Sequence, residues 1–169
     1  MPQPLILTLQ LDNNSHAFYE GLRRRYFPPE RNLIAAHLTL FHQLPDEDRT
    51  YQSVREAAQA TESFLLTHPT LRSIGKGVAV FFQSERLCAL HAGLLTAFQA
   101  DISAQDRQRL QPHIVIQNKV APEVARHTFA QLQATSFMEP IAIGLTLSRY
   151  LGGPWQHLSD FPFPTSPTP

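Results

Sequence analysis

Near the start of the chain Leu5, Leu7, Leu9 and Leu11 alternate with Thr8, Gln10 and Asp12, and that period of two predicts a half-buried strand over Pro4 to Asp12. Asn14 or Ser15 can cap a helix running through Phe18, Leu22 and Tyr26, and Pro28-Pro29 stops it. Ala36 to Leu44 reads as a second strand. Pro45-Asp46 opens a turn, and a helix from Asp48 or Thr50 passes through Val54, Ala57, Ala58 and Thr61. Phe64 to Ile74 and Val78 to Gln83 read as strands around the turn Gly75-Lys76-Gly77. Glu85 to Ala89 reads as a short strand, followed by a helix from about His91 to Ile102. Pro112 to Val120 is the next strand, and Pro122 opens a helix reaching about Ala134. Pro140 to Tyr150 is a strand, and Gly152-Gly153-Pro154 turns the chain into a last one, Trp155 to Asp160. The Pro/Ser/Thr-rich tail, 162–169, is expected to be disordered.

The order strand–helix–strand–helix, then strands, then a similar pattern again, predicts an α+β fold. Two lobes related by an approximate two-fold, each an antiparallel sheet backed by helices, would share one compact domain over residues 1–161 and meet in a central cleft.

Composition narrows the class. With 169 residues and 43 % hydrophobic content, the chain can bury a sizeable core. It has no apolar run of about 18 residues, so no membrane span is expected. The opening MPQPLILTLQLD lacks the basic region of a signal peptide, and the single Cys88 cannot form an internal disulfide; a cytoplasmic monomer is the expectation. Net charge is zero, so bulk electrostatics announce no polyanionic partner. The cations are nevertheless skewed, 12 Arg to 2 Lys, and Arg23, Arg24, Arg25 and Arg31 lie close together. Arginine suits bidentate phosphate contacts; the alternative is a solvated helix end.

Two histidines carry the candidate chemistry. His37-Leu38-Thr39-Leu40 and His113-Ile114-Val115-Ile116 each set a histidine in an apolar strand, 76 residues apart. Strand parity puts His37, Thr39 and Phe41 on one face and Leu38 and Leu40 on the other; likewise His113, Val115, Gln117 and Lys119 share a face. A pair of imidazoles supports transfer at phosphorus: one takes a proton from the attacking oxygen, the other gives one to the leaving oxygen. A hydroxyl two residues on can donate to a non-bridging oxygen as charge develops. Gln117, Lys119 and Tyr150 are candidate cleft-lining residues, as are Thr8, Gln10, Thr146 and Ser148 on polar parities. His42 has the opposite parity from His37 and reads as structural or exposed. Phe81 or Phe82 could stack a base, with core packing the simpler role. No carboxylate joins the histidines at metal-ligand spacing and no glycine-rich nucleotide loop occurs, so neither a metal nor a cofactor is expected.

The runs NLIAAHLTLFHQLP (Asn32 to Pro45) and RLQPHIVIQNKV (Arg109 to Val120), with Pro112 before the second histidine and the closing strand GGPWQHLSDFPF, resemble the two-histidine phosphoesterase superfamily. They are most similar to bacterial RNA 2′,5′-ligase/2′,3′-cyclic phosphodiesterase-like proteins, over nearly all of residues 1–161. The resemblance implies His37 and His113 as catalytic residues and Thr39 as a phosphate donor. It implies RNA ends or cyclic nucleotides as partners, and either opening of a 2′,3′-cyclic phosphate or cleavage of a 2′,5′ linkage as the reaction. For hydrolysis His113 is read as base and His37 as acid, although a symmetric cleft permits either assignment. One departure stands out: the second motif of the family carries Thr or Ser where this chain has Val115. Valine keeps the shape and loses the donor, which leaves open a nucleotide- or RNA-end-binding module that retains the cleft without turnover.

Overall fold

The computed structural model describes residues 3–165. Eight strands and four α-helices follow one another in the order β1 (Leu5–Leu11), α1 (Asn13–Tyr26), β2 (Leu38–Leu44), α2 (Asp48–Gln59), β3 (Phe64–Leu65), β4 (Thr67–Ser73), β5 (Val78–Gln83), α3 (Glu85–Ala97), β6 (His113–Gln117), α4 (Pro122–Leu132), β7 (Ile141–Tyr150) and β8 (Trp155–Pro162). The strands form two antiparallel sheets. In the first, β1 lies between β2 and β7, while β8 and the short β3 share the other edge of β7; the second runs β4-β5-β6. Helices back both: α1 packs on β6, α4 on β4 and β5, and α2 on β7, β8 and α3. The expected α+β architecture of two helix-backed antiparallel sheets is therefore the observed one.

The strand β1 is less half-buried than its alternation suggests. Hydrogen-bonded neighbours flank it on both sides, and the face read as polar is closed as well, with Ile6 4 % and Thr8 7 % exposed. The cap of α1 is Asp12 rather than Asn14 or Ser15: its carboxylate accepts from the Ser15 N–H at 3.2 Å, satisfying one of the free donors of the first turn. The fully buried stripe of α1 is Ser15, Tyr19 and Arg23, four residues apart, whereas Phe18, Leu22 and Tyr26 pack only partly against the core.

Three further expectations change. The single strand over 64–74 is two, because the chain leaves the first sheet at Leu66, whose N–H donates to the Pro140 carbonyl, and enters the second at Thr67. Residues 85–89 are helical, not a strand: the Ser84 hydroxyl accepts from the Leu87 N–H at 3.1 Å, so α3 starts at Glu85 and ends at Ala97, five residues short of Ile102. The last strand extends to Pro162, and Phe163 is buried against Phe64, so the expected disordered tail begins as ordered structure with Phe163 in the core. Residues 166–169 lie outside the described residues.

Candidate active site

Neither motif histidine sits inside a long strand. His113 is the first residue of β6, and β2 begins one residue after His37. Both residues are half-buried, and both rings are anchored in the same way. The Nδ1 of His37 lies 2.7 Å from the carbonyl of Ala35, and the Nδ1 of His113 lies 2.7 Å from the carbonyl of Gln111. A carbonyl oxygen can only accept, so Nδ1 carries the proton in each ring and Nε2 is left as the basic nitrogen. The approximate two-fold is thus repeated at the level of single hydrogen bonds.

The strand β2 departs from ideal pairing just beyond His37. Thr39 pairs with Thr8, but Phe41 pairs with Leu7, so one extra residue is inserted. Such a bulge reverses the alternation. Phe41, expected beside His37 and Thr39, is instead fully buried, stacked on His91 at 4.6 Å and edge-on to Phe98. His42 swings to the side of Thr39. Its backbone N–H and that of Gln43 donate to the Asp106 carboxylate at 2.9–3.0 Å, and its ring Nδ1 lies 2.9 Å from the same group. Burial alone would raise the pKa of Asp106, but the hydrogen bonds from the His42 ring, the His42 N–H and the Gln43 N–H outweigh it and hold the carboxyl below its usual range.

A hollow of about 280 Å³ opens here, lined among others by Thr39, His42, Phe81, Asp106, Arg109 and His113. Thr39 and His113 are therefore brought together. His37 is not among the residues that line this hollow; its ring lies against Trp155, with ring centroids 4.7 Å apart. Burial, opposed by the hydrogen bond to Ala35 and reinforced by the charges of Arg23, His113 and His42, pushes its pKa down from 6.5 to about 4. His91, stacked under the hollow, is also lowered by burial, against the pull of the Leu40 carbonyl and Asp106.

The other cleft candidates lie elsewhere. Between Val115 and Gln117 the pairing with β5 slips by one residue, and Gln117 turns into the core. Its amide NH₂ donates to the Thr128 hydroxyl at 2.8 Å and to the Tyr26 carbonyl at 3.2 Å, so it does not replace the donor missing at Val115. Lys119 follows the end of β6 as an exposed residue with φ 63°, on a turn and not in the strand. Tyr150 ends β7 as an exposed side chain paired across the ladder with Trp155. Thr8 and Ser148 are buried, the Gln10 amide oxygen is sealed without a partner, and the Thr146 hydroxyl donates to Asp160. Of the two phenylalanines, Phe82 is core, whereas the Phe81 ring stacks on His113 at 4.8 Å. Among the described residues no group of three or more His, Cys, Asp or Glu side chains is placed to hold a metal ion, and no helix is long and apolar enough to cross a membrane.

Arg23 was legible only as one of a basic cluster. It is 4 % exposed. Its Nε donates to Asn32 Oδ1 at 2.8 Å and to the Ile34 carbonyl at 3.0 Å, and its Nη1 donates to the Val115 carbonyl at 2.9 Å. One turn earlier on α1, Glu20 accepts from the Ala36 N–H at 2.6 Å. Glu20 and Arg23 together fix the segment that leads into His37, and Arg23 ties it to the strand carrying His113. The four-residue spacing of Ser15, Tyr19 and Arg23 is the signal that could have placed this arginine on a buried face. For Trp155 the signal was its place directly after the Gly-Gly-Pro turn of the closing strand.

Known structures share this architecture. E. coli LigT in complex with 3′-AMP superposes with a TM-score of 0.62 at 17 % identity, covering 98 % of this chain and 100 % of that one. TT0787 of Thermus thermophilus gives 0.67 at 16 % identity, covering 95 % and 97 %. A structure described as a phosphoesterase gives 0.57 at 17 % identity, covering 98 % and 100 %. No curated protein matches the chain by sequence. The model of the 2′-5′ RNA ligase superfamily matches residues 11–153, which contain both histidine motifs, and the chain belongs to that superfamily.

Proposed function

We propose that the protein is a metal-independent phosphoesterase that opens 2′,3′-cyclic phosphates or cleaves 2′,5′-phosphodiester linkages at RNA ends, with His37 and His113 as general base and general acid. The observation that carries this reading is the matched anchoring of the two rings, each through Nδ1 to the carbonyl two residues earlier, which leaves two Nε2 atoms available for proton transfer. Support comes also from the relatives: E. coli LigT structures are described as complexes with 3′-AMP, NADP+, ATP and phosphate.

In hydrolysis of a cyclic phosphate, one Nε2 accepts a proton from water as its oxygen attacks phosphorus. The P–O bond to one ribose oxygen breaks, and the other imidazole protonates that oxygen, giving a phosphomonoester and a free hydroxyl. The Thr39 hydroxyl donates to a non-bridging oxygen. The burial of His37 favours it as the base, because a ring with a pKa of about 4 is neutral at pH 7. That reverses the assignment drawn from the sequence.

Val115 favours the second reading, a nucleotide-binding module without turnover, because its side chain offers no donor and Gln117 faces the core. Incubation with a 2′,3′-cyclic nucleotide in EDTA separates the two. The enzyme releases a phosphomonoester; dependence on an added divalent ion contradicts the mechanism, and binding without turnover favours the module.

A further inference from the structure

The reaction drawn above gives no role to His42, although its ring stands in the hollow with Thr39 and His113. The clamp on the β2 bulge does not require that ring. The His42 and Gln43 N–H groups already donate to the Asp106 carboxylate at 2.9–3.0 Å. The ring adds a further bond, between Nδ1 and Asp106 Oδ1 at 2.9 Å. An ionised carboxylate can only accept, so Nδ1 carries the proton and Nε2 is the free nitrogen.

Burial sets the two partners apart. The Asp106 side chain is 1 % exposed, whereas that of His42 is 46 % exposed. A sealed carboxylate behind an open imidazole fixes the tautomer and the orientation of the ring, and balances the charge the ring carries when protonated. His91 lines the same hollow but is not comparable: its ring is buried flat against Phe41.

The surroundings favour an oxyanion as the partner of that free nitrogen. Asp106 is the one carboxylate among the residues lining the hollow, and its oxygens are already engaged by the two N–H groups and the ring. Arg109 adds an exposed cation to the wall. The motif strands, meanwhile, are short of a donor, because Val115 offers none and the Gln117 amide is spent in the core.

We propose that His42 is a third histidine of the site, a catalytic residue that binds a non-bridging phosphoryl oxygen, with Asp106 as its positioning residue. The ring takes a proton from solvent at Nε2 and donates it in a hydrogen bond to that oxygen, in place of the donor absent at Val115. The proposal rests on the phosphoesterase reading of His37 and His113 and adds a residue to that site.

The test uses His42→Asn. Its amide NH₂ can donate to Asp106 where the ring Nδ1 did, so the clamp is kept and Nε2 is lost. On a 2′,3′-cyclic mononucleotide in EDTA, kcat should fall about 10- to 100-fold, the worth of a hydrogen bond to a charged group, with a smaller change in KM. The affinity for inorganic phosphate, read by calorimetry, should fall about tenfold while Tm is retained. A kcat and a phosphate affinity equal to those of the wild type overturn the proposal. NMR of the ring nitrogens in the wild type needs no variant: saturating inorganic phosphate should move the His42 Nε2 signal, and an unmoved signal overturns the proposal even if His42→Asn fails to fold. If the wild type turns over no cyclic nucleotide, the phosphoesterase reading fails. His42 as an oxyanion ligand then stands if phosphate binds more weakly to His42→Asn, and falls if the affinity is unchanged.

Discussion

Val115 puts a methyl group where the resemblance to two-histidine phosphoesterases places a hydroxyl, and its side chain is half-buried, so the position tolerates either. Val115→Thr adds one donor at nearly constant volume. It should raise kcat on a cyclic phosphate by up to about 10- to 100-fold, because a donor to a developing oxyanion strengthens in the transition state. The gain should vanish in a His37→Ala background. A fall in Tm without a gain in rate would mean that the hydroxyl points into apolar packing and goes unpaired. His37 makes a second prediction at this scale. Its folded pKa, about 4, lies below the value of 6.5 expected when unfolded. Between those values the unfolded chain binds the extra proton, so stability falls as pH drops through that window, by at most one proton or about 1.4 kcal/mol per pH unit. Asp106 adds a loss of the same sign, since a carboxyl held low must protonate in acid. Tm measured from pH 7 to pH 4 should therefore fall less steeply in His37→Gln than in the wild type; parallel curves would contradict the buried neutral ring.

At the scale of the element, two strand irregularities decide which side chains reach the site. The bulge in β2 sends Phe41 into the core and brings His42 toward the hollow, and the slip at the end of β6 removes Gln117 from it. Period-two reading could not see either, because one extra residue leaves the alternation of hydrophobic types intact while reversing their direction. Most elements, the two-sheet architecture and the placing of Thr39 and His113 at one hollow were legible, since they depend on hydrophobic periodicity and on the extended histidine motifs; the helical start at Glu85 and the break at Leu66 were not. Asp106 was not legible. It lies in the long connection between α3 and β6, where sequence pattern carries no register. It is the clamp on the β2 bulge, accepting from the His42 and Gln43 N–H groups and from the His42 ring. Asp106→Ala leaves those donors without an acceptor and should cost about 2–4 kcal/mol, read as a Tm lowered by roughly 5–15 °C. An unchanged Tm would mean that water substitutes for the carboxylate.

Across the whole molecule, α1 is the element that makes one unit of two sheets. It follows β1 in the first sheet and packs on β6 in the second. Arg23 bonds the segment before His37 and the Val115 carbonyl at once. A lysine cannot reproduce that fork, so Arg23→Lys should lower kcat by about tenfold or more with a smaller change in KM, since misplacement of the pair affects the transition state most. A rise in KM alone would point to a substrate contact instead. If the two anchored imidazoles act as one acid–base pair, their loss is not additive, which kcat on a 2′,3′-cyclic phosphate in EDTA reads for wild type, His37→Ala, His113→Ala and the double variant. Each single variant should lose about 10²–10⁴ in kcat, with the fold retained by circular dichroism, and the double variant should be scarcely worse than the poorer single one. Wild-type turnover surviving in either single variant would contradict the acid–base pairing.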